Sequence, residues 1–192
     1  MHVLAFSATP RRGGNSDILV DHILEGVRAA GASFEKVRLA ELDIAPCNAC
    51  AACQDAVETP CVIGDDMAPL IDKMRVADGF VFGSPIYFFT VSAQMKLLLD
   101  RSYALFGADH FDVLQGRRMA LAFSYGDTDP LSSGVVNALQ TFQGAARFLG
   151  MEICGWVHAS CNAAGEVRGN PQVLKTAVAL GESLCRRDEE TT

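Results

Sequence analysis

Short apolar runs alternate with apolar stripes of helical period along this chain, and the alternation predicts strands and helices in turn. Residues 2–6 (His-Val-Leu-Ala-Phe) form an apolar run that stops at residues 7–16, a stretch full of turn formers, so the chain opens as strand and loop. Ile18, Leu19, Ile23, Leu24 and Val27 then recur at helical spacing, with Ser16 placed to cap and Gly31 to terminate. Phe34, Val37 and Leu39, leading to Leu42 and Ile44, predict a second strand. After a cysteine-rich segment at 47–61, Asp65 and Asp66 open a helix carrying Met67, Leu70, Ile71 and Met74, their charge complementing the helix dipole. The strongest buried-strand signal is residues 79–83 (Gly-Phe-Val-Phe-Gly). Residues 91–106 predict a helix with Met95, Leu98, Leu99 and Ala104 on its apolar side, followed by an irregular segment through His110 and Gln115. Residues 119–123 predict a fourth strand, 135–149 a helix, 152–159 a fifth strand and 171–185 a closing helix.

Five apolar strands alternating with helices specify an α/β fold, and the right-handed crossover rule makes it a doubly wound parallel sheet. No Gly-x-Gly-x-x-Gly follows the first strand, so the dinucleotide-binding order gives way to the flavodoxin-like order 2-1-3-4-5 in a three-layer arrangement. That order puts a ligand at the carboxyl ends of strands one and three, where the order reverses. The 192 residues suit a single domain at 1–185 and a charged, solvated tail at 186–192.

Composition narrows the function classes. The chain is 49% hydrophobic and 20% charged, ordinary for a globular protein. No apolar run approaches the roughly 18 residues of a membrane span, and no charged region precedes Pro10 as a signal peptide requires. These features predict a soluble, cytoplasmic protein with no membrane partner. Sixteen Lys and Arg against 23 Asp and Glu give a net charge of −7, which argues against nucleic acid. Seven cysteines in a chain without an export signal favour metal binding or redox chemistry over bridging. Ser-His-Asp, HExxH and Walker patterns are absent, so hydrolase and triphosphatase readings have no support.

The 7–16 loop gathers anion-binding groups immediately before a helix: hydroxyls at Ser7, Thr9 and Ser16, the amide of Asn15, guanidiniums at Arg11 and Arg12, and permissive backbone at Gly13 and Gly14. It suits a phosphate monoester, the alternative being an ordinary capped loop. After strand three, Ser84, Pro85, Ile86, Tyr87 and Phe88 set exposed aromatics after a proline-fixed turn at the same sheet edge, suited to a flat heteroaromatic ring or, alternatively, a plain apolar lid. Ser124, Tyr125 and Gly126 end strand four on that edge too. Phosphate at one end and ring at the other describes FMN.

Ser7-x-x-Pro10-Arg11-x-x-Gly14-Asn15-Ser16 resembles the phosphate loop of the NADPH-dependent FMN reductase and flavodoxin-like proteins. Residues 83–87 (Gly-Ser-Pro-Ile-Tyr), with 92–96 (Ser-Ala-Gln-Met-Lys) and Asp100-Arg101, resemble their ring-binding segment and following helix. The similarity runs over about residues 2–160. The second constellation is Cys47-x2-Cys50-x2-Cys53-x7-Cys61. Thiolates at i and i+3 in a turn can point into one volume, and a fourth returning after a short loop completes the ligand set of a 4Fe-4S cluster. Zinc usually takes two pairs split by a longer insert, and free or redox-active thiols are the other alternative. The spacing is similar to that of the iron-sulfur flavoproteins, a branch of the same fold. Membership of that branch implies a cluster near FMN, often across a subunit interface, in a homodimer or homotetramer that passes electrons from a donor such as ferredoxin to a small-molecule acceptor.

Three other cysteines, Cys154, Cys161 and Cys185, carry no assigned role, and Cys154 in an apolar strand reads as a small core residue. His110 and His158 have no carboxylate partner in the pattern, so no catalytic acid or base is assigned. Trp156 reads as core or interface, and Lys96, Asp100 and Arg101 as a salt-bridged helix face. The resulting expectation is an FMN-dependent oxidoreductase with a 4Fe-4S cluster and NAD(P)H as a possible donor. Three alternatives stand beside it: a cluster-free NAD(P)H-dependent reductase of FMN, quinones or nitro and azo compounds, a non-catalytic electron carrier, and a zinc-stabilised interaction module.

Overall fold

Alternate side chains of β1 (His2–Ser7) are buried on both faces, Leu4 and Phe6 in one apolar cluster, Val3 and Ala5 in another. A strand buried on both sides belongs inside a parallel sheet covered by helices. That is its place in this computed structural model, which describes residues 1–55, 61–106 and 112–186. The strands that follow are β2 (Ser33–Arg38), β3 (Gly79–Tyr87), β4 (Thr90–Val91), β5 (Arg118–Tyr125) and β6 (Glu152–Ser160). The parallel ones run β2-β1-β3-β5-β6, the flavodoxin-like course, and the two-residue β4 folds back antiparallel on β3. Among the described residues the sheet therefore has six strands where five were predicted.

One cluster lies between the sheet and α1 (Asn15–Ala29). The opposite cluster is covered by α2 (Met67–Val76) and α3 (Ala93–Arg101), with α4 (Pro130–Ser133) a single turn leading into α5 (Val135–Leu149), which joins that side. The closing helix, α6 (Pro171–Cys185), lies beside α1. On the α5 side Phe82 is the hub, with ring centroids 5.5 Å from Phe6, 5.9 Å from Phe80 and 5.2 Å from Phe142. Among the described residues no helix is long and apolar enough to cross a membrane.

Several element boundaries differ from the sequence pattern, each for a local reason. The third strand continues past Gly83 to Tyr87, so Pro85 lies inside it, and the turn falls at Phe88 and Phe89, which adopt φ of 46° and 69°. Pro85 is tolerated because β1 has its last pair at Ser7 and Gly83, leaving β3 only the β5 partner there. The helix predicted over 91–106 is shorter: Val91 belongs to β4, and a 3-10 turn takes over at Ser102–Leu105. Gly14, not Ser16, is the N-cap of α1, and Ser16 sits in the first turn. The second strand stops at Arg38, before a 3-10 turn at Leu39–Glu41. Lys96 and Asp100 do pair, at 2.6 Å, but Arg101 leaves that face and is buried. Trp156 is 47% exposed and so is not a core residue. His110 and tail residues 187–192 lie outside the described residues.

Candidate functional site

Crossover at the β1/β3 switch point leaves a crevice at the carboxyl ends of the strands, and the loops there are tied together by side-chain hydrogen bonds. The Ser84 hydroxyl accepts the N–H of Ser92 at 3.0 Å, and the Ser92 hydroxyl donates to the Ala8 carbonyl at 3.0 Å. The Ala8 N–H donates to the Gly83 carbonyl at 2.8 Å. Ser84 and Ser92 are fully buried, so these bonds join the end of β1 to the end of β3 without exposure to water.

The resulting cavity has a volume of about 260 Å³. Thr9, Arg11, Gly14 and Asn15 line it from the first loop, Pro85, Ile86 and Tyr87 from β3, and Ser124, Tyr125 and Gly126 from β5. Ten of the sixteen residues predicted from the sequence thus meet at one place. The other six support it or face elsewhere. Ser7 is buried and its hydroxyl donates to Asp17 at 2.6 Å, Pro10 is exposed, and Arg12 pairs with Glu41 at 2.8 Å. Ser16 Oγ is buried and has no hydrogen-bond partner among the described residues. Ser84 forms the tie above, and Phe88 is 95% exposed at the hairpin tip.

Cys161, Asn162 and Ala164, from the loop after β6, complete the lining. The sequence reading assigned them nothing; the signal was the strand order itself, which brings the carboxyl end of the fifth parallel strand to the same edge. Asn15 staples this loop to the first one, its amide donating to the Ala163 carbonyl at 2.8 Å and its oxygen accepting the Val167 N–H at 3.1 Å. With that amide committed, Asn15 has its backbone N–H left for an anion. Burial pushes the Cys161 thiol up, and the charge of Glu166 adds to it. Tyr125 lies 3.4 Å from His158 Nδ1 through its hydroxyl; burial lowers the histidine, keeping it neutral near pH 7, and raises the tyrosine.

At the anion end α1 begins at Gly14 with no side-chain cap, so first-turn amides have no intrahelical acceptor. Among the described residues Arg11 has no ion-pair partner, and Gly14 packs so closely on Thr9 and the Arg11 carbonyl that no other residue leaves the loop undisturbed. Uncapped amides, a free guanidinium and a hydroxyl fit a phosphate monoester. Beneath them Asp17, almost completely buried, accepts from Ser7, from Lys36 at 2.7 Å and from Arg38 at 2.7 Å. Burial alone would raise its carboxyl, but the hydrogen bonds and charges of Lys36, Ser7 and Arg38 outweigh it and hold the group below the usual range.

A depressed folded-state value means that this stability is present above the unfolded Asp value of about 3.9 and is lost as pH falls through the folded one. The urea midpoint should hold steady toward neutral pH and drop below about pH 4. Asp17→Asn, at a cost on the order of 3 kcal/mol from the two cations left facing an amide, should flatten that drop. An unchanged acid limb in the variant would remove Asp17 from the account.

The cysteines form a second locality. Cys47, Cys50, Cys53 and Cys61 all line one cavity of about 800 Å³, walled by apolar residues such as Met74, Phe82, Phe142 and Phe148. Its described lining has no residue in common with the first cavity. Cys47 and Cys50 are exposed, Cys53 and Cys61 half-buried, and the chain between them turns through Ala49 and Ala51 at φ of 57° and 60°. Three of the sulfurs already accept N–H groups: Cys47 from Ala49 at 3.4 Å, Cys53 from the Gln54 amide at 3.3 Å and Cys61 from Arg101 at 3.4 Å. An all-sulfur donor set with N–H donors at its sulfurs fits an iron-sulfur cluster. Among the described residues no three metal-ligating side chains stand close enough to hold one ion.

The chain is 41% identical over 105 residues to an iron-sulfur flavoprotein of Methanocaldococcus jannaschii, covering 55% of this chain and 53% of that protein. It is 38% identical over 105 residues to an iron-sulfur flavoprotein of Methanosarcina thermophila, covering 55% and 54%. The matches thus span about half the length of these curated relatives. The solved NAD(P)H:quinone oxidoreductase from Methanothermobacter marburgensis superposes with a TM-score of 0.73 over 97% of this chain and 98% of that one; at 17% identity it attests to the fold alone. The profile described as NADPH-dependent FMN reductase matches residues 1–155. The chain belongs to the NADPH-dependent FMN reductase family, a family of flavin-dependent oxidoreductases, and has curated relatives among the iron-sulfur flavoproteins.

Proposed function

We propose that the chain is an FMN-dependent oxidoreductase that passes electrons between a reduced donor, NAD(P)H or a ferredoxin, and a small-molecule acceptor through FMN and a 4Fe-4S cluster. The observation that carries the flavin half is the convergence of ten predicted residues on one cavity of about 260 Å³ with an anion seat at one end and aromatic and apolar groups at the other. Arg11, Thr9 and the first-turn amides of α1 hold the phosphate, while Pro85, Ile86, Tyr87, Tyr125 and Gly126 border the ring. Bound there, FMN supplies a centre able to exchange a hydride or single electrons. The cluster half is supported by four cysteines on one cavity and by relatives named for such clusters. The open spacing of those cysteines favours a second reading, a cluster-free NAD(P)H-dependent reductase.

The proposal extends to a homodimer or homotetramer. Tyr87, Phe88 and Phe89 project into solvent beside the flavin cavity, and that cavity shares no described lining residue with the cysteine cavity. Exposed aromatics of this kind mark an interaction surface, and a second copy of the chain is the partner that would cover it. A monomer by light scattering would overturn this extension.

Protein purified without oxygen tests the two halves separately. Flavin bands over a broad sulfur-to-iron absorption, with about four irons per chain, are expected. Cys50→Ser should remove the iron and the broad absorption while leaving FMN bound. Flavin without iron sinks the cluster half and supports the second reading; protein that binds neither sinks the whole proposal.

A further inference from the structure

We propose that Arg101 sets the electron affinity of the cysteine-held cluster by donating an N–H···S hydrogen bond to Cys61; this rests on the reading of the cysteines given above. Arg101 ends α3, yet its side chain is only 1% exposed and lies beneath the cysteine segment. Nη1 and Nη2 grip the two oxygens of Asp65 at 2.5 Å and 3.0 Å, Nη1 also donates to the Ala45 carbonyl at 2.8 Å, and Nη2 reaches Cys61 Sγ at 3.4 Å. Asp65 in turn accepts the N–H groups of Ala45 at 2.9 Å and Met67 at 3.0 Å. Ala45 and Asp65 bracket the four cysteines, so one guanidinium closes the base of the segment and touches a sulfur within it.

The chemistry calls for arginine. A planar fork serves a carboxylate, a carbonyl and a sulfur at once, which the compact ammonium of lysine cannot do. Asp65 makes the buried pair neutral overall, which makes its burial tolerable. What Cys61 meets is therefore a dipole with its positive end on the sulfur. Hydrogen bonds to cluster sulfurs and the local charge are among the levers that set a cluster's potential, since they favour the state with more negative charge. The donors at Cys47 and Cys53 are neutral amides; among the described residues Arg101 is the one cationic donor to a sulfur of this segment. The step affected is transfer of one electron from an external one-electron reductant to the cluster, with no bond made or broken and no proton moved.

The test is an EPR-monitored dithionite titration of anaerobically prepared, cluster-loaded wild type, Arg101→Lys, Arg101→Gln and Asp65→Asn. Loss of the fork should lower the cluster's electron affinity about tenfold in Arg101→Gln, about 59 mV for a one-electron couple, and less in Arg101→Lys. Asp65→Asn removes the negative end of the dipole and should move the potential the opposite way. A pair that only braces the loop would lower iron content in all three variants without moving the potential of the cluster that remains, and unmoved potentials overturn the proposal. Should the Arg101 variants lose the cluster altogether, wild type labelled with ¹⁵N in its arginine side chains decides: a ¹⁵N hyperfine coupling to the reduced cluster supports the proposal, and its absence overturns it. Wild type free of iron overturns this proposal together with the reading beneath it, whereas an iron-loaded wild type with unmoved variants overturns this one alone.

Discussion

Gly181→Ala should destabilise the protein by about 3 kcal/mol, lowering the melting temperature by roughly 6–12 °C at this chain length. On propensity alone the sign would be reversed, because an interior helical glycine costs roughly 0.5–1 kcal/mol relative to alanine. Packing decides otherwise. A methyl at 181 in α6 would fall inside the van der Waals radius of the Ile23 carbonyl oxygen in α1, with the Val27 nitrogen 2.9 Å away. Gly26 of α1 makes the reciprocal approach, its own methyl position blocked by the Val178 carbonyl. Neither obstacle is a side chain that can rotate away, so the helices must separate and loosen Ile23, Val27, Ala177, Leu180 and Leu184 from their shared cluster. A urea midpoint for Gly181→Ala equal to or above wild type would show that the helices do not meet this closely.

The glycine pair was not legible beforehand, because close approach of two helices distant in sequence leaves no mark in the period of either. What was legible was whatever is local. The β1 run and the α5 stripe at 135–149 are each contiguous, and each reappears where the pattern put it, while of the 7–16 loop Thr9, Arg11, Gly14 and Asn15 line the cavity and Ser7, Pro10, Arg12 and Ser16 do not. Misplacement begins where a residue's role depends on a distant partner. Arg101 follows Lys96 and Asp100 in a pattern that suits an exposed ionic face, and only the return of Asp65 beneath the cysteine segment makes it a buried anchor. Pro85 suggested a turn because proline is rare in central strands; the early end of β1, which frees that position, is a property of the sheet. Cys161 gained its place on the cavity at the β1/β3 switch point from the position of β6 beside β5. For the same reason the four cysteines, adjacent in sequence, were legible as a group, whereas the charged donor at Cys61 was not.

Gly14→Ala should weaken FMN roughly tenfold to a hundredfold while changing riboflavin binding by no more than about twofold. The backbone of Gly14 sits at φ −64° and ψ 158°, which alanine adopts freely, so conformational strain plays no part. Space does: a Cβ there would lie 2.8 Å from Thr9 Oγ1 and 3.1 Å from the Arg11 carbonyl. Thr9 holds its own loop by accepting the Arg11 N–H at 3.3 Å, and Gly14 closes the turn by donating to the Arg11 carbonyl at 3.1 Å. Alanine must therefore turn the Thr9 hydroxyl aside or open the turn, displacing a donor from the anion seat at the start of α1. A hydrogen bond to a charged group contributes about 1.5–3 kcal/mol, which sets the range of the loss. Riboflavin lacks the phosphate and keeps the ring, so it isolates the end of the cavity at fault. Fluorescence titration of both ligands reads the difference directly. Equal weakening of the two would place the damage at the ring contacts of β3 and β5, and unchanged FMN affinity would mean that the phosphate does not sit on the Thr9-Arg11-Gly14 loop.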